Sequence, residues 1–174
     1  MSDQAEQQIQ LSDELLKVMR DSGAYALKLR EPFITARALL LSLLDDPEIG
    51  PAIAAVVPRE QLMALEPSGD LRNGAARISE SDLPAGERGA LPRFDTLAFK
   101  LPEGNASVWL GREAYSIFCE GANRTDGRYL PKHLAFGLAS EALRSPGILS
   151  TIHVEPGKLT DAIYNMDKEP AASE

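Results

Sequence analysis

The sequence predicts an all-α fold, a tandem pseudo-symmetric repeat of two four-helix units separated by a long insert. Three features of the chain lead there. Aromatic residues make up only 6% of it while leucine and alanine are plentiful, a composition that favours helix over sheet. Apolar residues recur at helical spacing in several separate stretches. The apolar pattern of the first third also returns later in the chain at a single offset of 95 residues.

The first helix is expected to begin at Ser12, whose hydroxyl can cap it, with Asp13 and Glu14 in the first turn where carboxylates suit the helix dipole. Leu15, Leu16, Met19, Ala26 and Leu27 then mark one face, and Glu31-Pro32 interrupts the run because the residue before proline avoids the helical region. Thr35 can cap a second helix from Ala36 to Leu44, so apolar all round that it belongs at the centre of the core. Asp45-Asp46-Pro47 ends it. Gly50-Pro51 restarts a short helix through Val57, and Pro58 starts a fourth carrying Leu62, Met63 and Leu65.

Moving along by 95 residues sets Arg37 opposite Lys132, Leu39 opposite Leu134, Ser42 opposite Gly137, Leu43 opposite Leu138 and Pro51 opposite Pro146. The first helices match less well, with Met19 falling opposite Ala114 and Ala26 opposite Gly121. This divides the chain into repeat one at 11–65, an insert at 66–105, repeat two at 106–166 and a disordered tail at 167–174. The insert opens with turn chemistry: Pro67-Ser68-Gly69, Asn73-Gly74 and Pro84-Ala85-Gly86. Near its end Leu97, Phe99 and Leu101 alternate, as do Ala106, Val108 and Leu110, the pattern of a small β-hairpin. Trp109 and Leu110 can alternatively open the next helix.

Composition excludes several functions. A net charge of −8 opposes non-specific binding to nucleic acid or to an anionic membrane. No apolar run approaches the roughly 20 residues that span a bilayer, and Met1 to Gln10 lacks the order of a signal peptide. A cytoplasmic protein is expected. The single cysteine, Cys119, rules out an internal disulfide, and two histidines, His133 and His153, without a clustered third ligand give no metal site. No cofactor is expected.

The second helix of each copy carries a family resemblance. Phe33-Ile34-Thr35-Ala36-Arg37-Ala38-Leu39-Leu40-Leu41-Ser42-Leu43-Leu44 resembles the signature of the amino-terminal domain of Clp-type protein unfoldases. Tyr129-Leu130-Pro131-Lys132-His133-Leu134-Ala135-Phe136-Gly137-Leu138 is similar, with one residue fewer before the histidine, and Ala26-Leu27-Lys28-Leu29 resembles the segment that precedes the signature. The resemblance covers about 55 residues in each half and implies a tandem helical repeat that docks substrates or adaptor proteins. The chain holds no phosphate-cradling loop and has no room for an ATPase module as well. The resemblance therefore implies a stand-alone, non-catalytic protein-binding domain, accessory to ATP-dependent protein unfolding or proteolysis, whose partner is an unfoldase, its substrates or an adaptor.

Some family members bind phosphorylated arginine through an acidic signature residue, because a carboxylate takes the guanidinium fork bidentately. Here the aligned positions are Arg37 and Lys132, which repel a guanidinium and suit an acidic partner, or else are solvated helix-surface charges. They are the expected partner-binding residues, with the insert helping to select the partner. The alternative is a small helical hydrolase or transferase using Cys119 and His133, although Cys119 sits on the apolar stripe of Ala114, Ile117, Phe118 and Ala122, where a buried thiol is the ordinary outcome. His133 fits a capping or packing role better than a titrating one. Purified protein should show no ATP turnover; hydrolysis that survives contaminant controls would contradict this.

Overall fold

Ser12 starts the first helix as its chemistry dictates. The computed structural model describes residues 9–31, 33–65, 98–100, 107–125, 127–144 and 147–168. A short strand, β1 (Gln10–Leu11), leads into α1 (Asp13–Lys28), whose Leu15 N–H donates to Ser12 Oγ at 3.0 Å. The helix stops at Arg30, which adopts a left-handed φ of 58°. This lets Arg30 N–H donate to Leu27 O at 3.0 Å and Glu31 N–H to Ala26 O at 2.7 Å, a closing pattern that satisfies two terminal carbonyls.

Helix α2 (Ala36–Leu44) is capped by Thr35 Oγ1, which accepts from Ala38 N–H at 3.2 Å. Every residue from Ala36 to Leu43 is buried, as an all-apolar helix requires. Asp46 Oδ1 accepts from the N–H groups of Glu48 and Ile49, both at 2.9 Å, and so turns the chain into α3 (Gly50–Ala54). That helix ends three residues before the expected Val57. Helix α4 (Arg59–Ala64) follows, with Pro58 at its N-cap.

Strands β2 (Ala98–Lys100) and β3 (Ser107–Trp109) pair antiparallel with Phe99 opposite Val108, so the alternating segments do form the small ladder and Trp109 does not open a helix. The insert boundary at 105 therefore falls between two paired strands. The second half contains α5 (Arg112–Ala122), β4 (Arg128–Tyr129), α6 (Pro131–Arg144), α7 (Ile148–Thr151) and α8 (Pro156–Lys168). Residues 167 and 168 are thus helical, not tail. The remaining tail, 169–174, the insert over 66–97 and 101–105, and Pro146 of the expected second restart lie outside the described residues.

Two parallel contacts, invisible to helical periodicity, lock the halves together. Strand β1 pairs with β4, and Ser12 N–H donates to Tyr129 O at 3.0 Å. Ile34 bridges to Leu110, and Gly111 N–H donates to Ile34 O at 2.8 Å. The segment ahead of each half's first helix is therefore bound to the segment ahead of the other half's second helix. One apolar core spans both halves, joining Leu15, Met19, Leu39, Leu40 and Leu43 to Phe118, Tyr129, Leu134, Leu138 and Leu159. All five leucines expected to be buried, Leu39, Leu40, Leu43, Leu134 and Leu138, are at most 1% exposed.

The helix crossings inside the halves differ in one instructive way. Ser42 Oγ on α2 donates to Val18 O on α1 at 2.6 Å. On α6, a Cβ at Gly137 would lie 2.5 Å from both Ile117 O and Gly121 N of α5, so those two backbones touch directly. Substituting Leu43→Ala should cost about 2–5 kcal/mol through loss of packing. Gly137→Ala should cost about 1–3 kcal/mol despite alanine's better helix propensity, because the obstacle is backbone. Urea unfolding checks both; a loss below about half a kcal/mol at Leu43 would contradict its central placement.

Candidate interaction surface

Arg37 does not stand on the surface. It is 7% exposed, and its Nε and Nη2 each donate to Glu31 Oε1 at 2.8 Å. Its Nη1 donates to Leu62 O at 3.3 Å and also to Leu65 O. The guanidinium thus joins the end of α1, the start of α2 and the last turn of α4, whose terminal carbonyls need donors. The expectation that Arg37 meets an acidic partner fails, and so does the reading of it as a solvated charge: its acidic partner is Glu31 of the same chain. Glu31 is itself 3% exposed, and its Oε2 accepts no hydrogen bond from the described residues. It occupies a position after the left-handed residue where an apolar side chain is the common choice, which explains why a buried cation must stand nearby.

Lys132 behaves differently. It is half-buried in the first turn of α6, beside Pro131 and His133. His133 Nδ1 accepts from Leu130 N–H at 2.9 Å, so this imidazole closes the start of α6. A ring nitrogen that accepts from a backbone N–H is not available as a base. Cys119 is partly buried on α5, and burial pushes its thiol up, against a smaller lowering from the Tyr115 hydroxyl. A raised thiol is the opposite of an activated nucleophile. His153 lies at a left-handed φ of 58°, past the end of α7, with its N–H on Ser150 O at 3.1 Å.

Along the side of α6 that carries Lys132 lie residues that sequence reasoning missed. Phe136 and Leu143 follow Lys132 at spacings of four and eleven, which puts all three on one face of α6, opposite the buried Leu134 and Leu138. Leu143 is 77% exposed, a large apolar side chain in water. The Phe136 ring lies 4.9 Å from that of Tyr164 on α8, itself 50% exposed. The result is a face with a cation at one end and apolar side chains along it. The sequence signal was two large apolar residues on the side of α6 turned away from Leu134 and Leu138. That Tyr164 joins them follows only from the packing of α8 on α6.

A second polar cluster sits at the other half. Tyr25 OH donates to Asp45, and Arg59 donates to Asp45 and, at 3.2 Å, to the Tyr25 hydroxyl oxygen. Partial burial and the bond to Asp45 raise the Tyr25 phenol, while Arg59 opposes them. This ties α4 to α1 and α2. Among the described residues no three His, Cys, Asp or Glu side chains group as metal ligands, and no helix is long and apolar enough to cross a membrane. Of the insert assigned a selecting role, only residues 98–100 are described.

Removing one member of the buried pair strands the other. Arg37→Ala should destabilise by about 3–5 kcal/mol, and the double change Arg37→Met with Glu31→Leu should recover part of that, because apolar bulk replaces a buried ion pair but leaves the Leu62 and Leu65 carbonyls without the Arg37 donor. Equal losses in the single and double variants would show that the pair does not act as a unit. Neither protein-family models nor curated protein sequences match the chain.

Proposed function

We propose that this chain is a non-catalytic protein-binding module built by duplication of one helical unit, of the kind found in the amino-terminal domains of Clp-type unfoldases, and accessory to protein unfolding or proteolysis. The observation that carries the reading is the reciprocal crossing of the two halves. Ser12 N–H meets Tyr129 O and Gly111 N–H meets Ile34 O, so the residues exchanged are equivalent in both directions. Ile34 and Tyr129 obey the offset of 95 residues, whereas Ser12 and Gly111, the two N-caps, are 99 apart.

That second register explains the poor match of the first helices. At 99 residues Leu15 falls opposite Ala114, Val18 opposite Ile117, Met19 opposite Phe118 and Ser22 opposite Gly121, and all eight are buried. Helix α5 has 11 residues against 16 in α1, so the register must shift between the first and second helices. The two crossings then correspond as well: Ser42 meets the Val18 carbonyl, and Gly137 meets that of Ile117.

Recognition is assigned to the face of Lys132, Phe136, Leu143 and Tyr164, which suits an amphipathic partner segment with acidic residues at one edge. Exposed aromatic and leucine side chains beside a cation give a partner both apolar burial and charge complementarity. A hydrolase or transferase is disfavoured by the raised Cys119 thiol and the capping role of His133.

A partner recovered by co-purification from the native host permits the test. Leu143→Glu with Lys132→Glu should weaken binding at least about tenfold, or 1.4 kcal/mol, and the Lys132 change alone should slow association. The melting temperature should stay nearly constant, since Leu143 is exposed. Unchanged affinity in the double variant would place the binding surface elsewhere.

A further inference from the structure

Helix α4 is held unlike any other helix of the first half. It has six residues, no side-chain cap, and Leu62 as its one buried residue. The hydrogen bonds that close its two ends are long: Gln61 N–H to Pro58 O at 3.2 Å, and Leu62 N–H to Pro58 O and Leu65 N–H to Leu62 O at 3.4 Å. By contrast Leu39 N–H meets Thr35 O at 3.0 Å in α2, where eight of nine residues are buried. What fastens α4 is two arginines, one at each end. Arg59, in the first turn where a cation opposes the helix dipole, reaches out to Asp45 and Tyr25. Arg37 reaches up from α2 to the carbonyls of Leu62 and Leu65.

Such an element has few apolar contacts to lose and polar ones that water can replace. The Arg59–Asp45 pair is about 40% exposed on each side, so solvent already competes for it. Arg37, by contrast, keeps its two bonds to Glu31 when α4 leaves, because both belong to the α1–α2 junction. Detachment therefore leaves no charge stranded in the core.

We propose that α4 is a displaceable strap: it opens as a unit while α1 and α2 stay folded, and opening uncovers the Nη1 edge of Arg37 and the apolar seat of Leu62. The strap converts a closed, internally satisfied arginine into an exposed donor pair flanked by apolar surface. A peptide segment offering a leucine and free main-chain carbonyl oxygens, as α4 itself does, is the ligand class such an opened seat would take.

Native-state hydrogen exchange on the full chain, read residue by residue by NMR, tests this without any binding partner, so its outcome is separate from that of the proposed function. The Leu62 and Leu65 amides should exchange at least about 100-fold faster than those of Leu39 and Leu43, the sign of a sub-global opening. Arg59→Gln, at a half-buried site, should speed the α4 amides further while leaving α2 unchanged. The Arg37 guanidinium should become labelled by phenylglyoxal in step with α4 exchange, and faster in Arg59→Gln. Exchange of α4 and α2 as one unit, equal acceleration of both or of neither by Arg59→Gln, or an Arg37 that stays unlabelled while α4 exchanges would each overturn the strap.

Discussion

Two backbone hydrogen bonds, Ser12 N–H to Tyr129 O and Gly111 N–H to Ile34 O, hold the positions on which the rest of this molecule depends. Each binds the residue that starts a first helix to the segment that starts a second helix in the other half. A helix begins where its cap sits, so these bonds set the origin of α1, α2, α5 and α6 together. Once those origins are set, Leu15 and Met19 can only face the same core as Leu134 and Leu138. Tyr129 shows how tightly the two requirements combine. Its carbonyl serves the crossing, while its ring stacks on Phe118 at 5.0 Å and its hydroxyl donates to Phe118 O at 2.7 Å.

The buried pair of Arg37 and Glu31 solves a different problem. Helix α2 is central and apolar, and the last turn of α4 turns the carbonyls of Leu62 and Leu65 towards Arg37 of α2. Leaving them unsatisfied in a dry site is costly, so a donor is needed there. An arginine supplies several donors from one side chain, and its charge then needs a carboxylate of its own. The cation of the first half is turned inward, and that of the second, Lys132, stays beside the exposed face of Phe136, Leu143 and Tyr164. Two positively charged residues at corresponding places in α2 and α6 thus have different surroundings, one buried and one half-buried.

Local chemistry made most of the elements legible. The caps at Ser12 and Thr35, the burial of Ala36 to Leu43, the turn at Asp46 and the alternation around Phe99 and Val108 all depend on residues a few positions apart. Arg37 was misjudged for the same reason. Its partners Leu62 and Leu65 lie 25 and 28 residues away, and no pattern in the sequence places a carbonyl beside a guanidinium. Half of the candidate face was readable, since Phe136 and Leu143 share the side of Lys132 by helical spacing alone.

By itself the sequence determined that this chain is mostly helical, where the helices of the first half start, and that Leu39, Leu40, Leu43, Leu134 and Leu138 go inside, because capping and amphipathic spacing act within one or two turns. Leu27, placed by spacing on the apolar face of α1, is nevertheless 54% exposed. Tertiary structure alone decided that β1 pairs with β4, that Ile34 bridges Leu110, that Arg37 is spent inside the protein, and that Tyr164 lies against Phe136. Those contacts join residues far apart in the chain, and they exist only where several helices have already been packed against a common core.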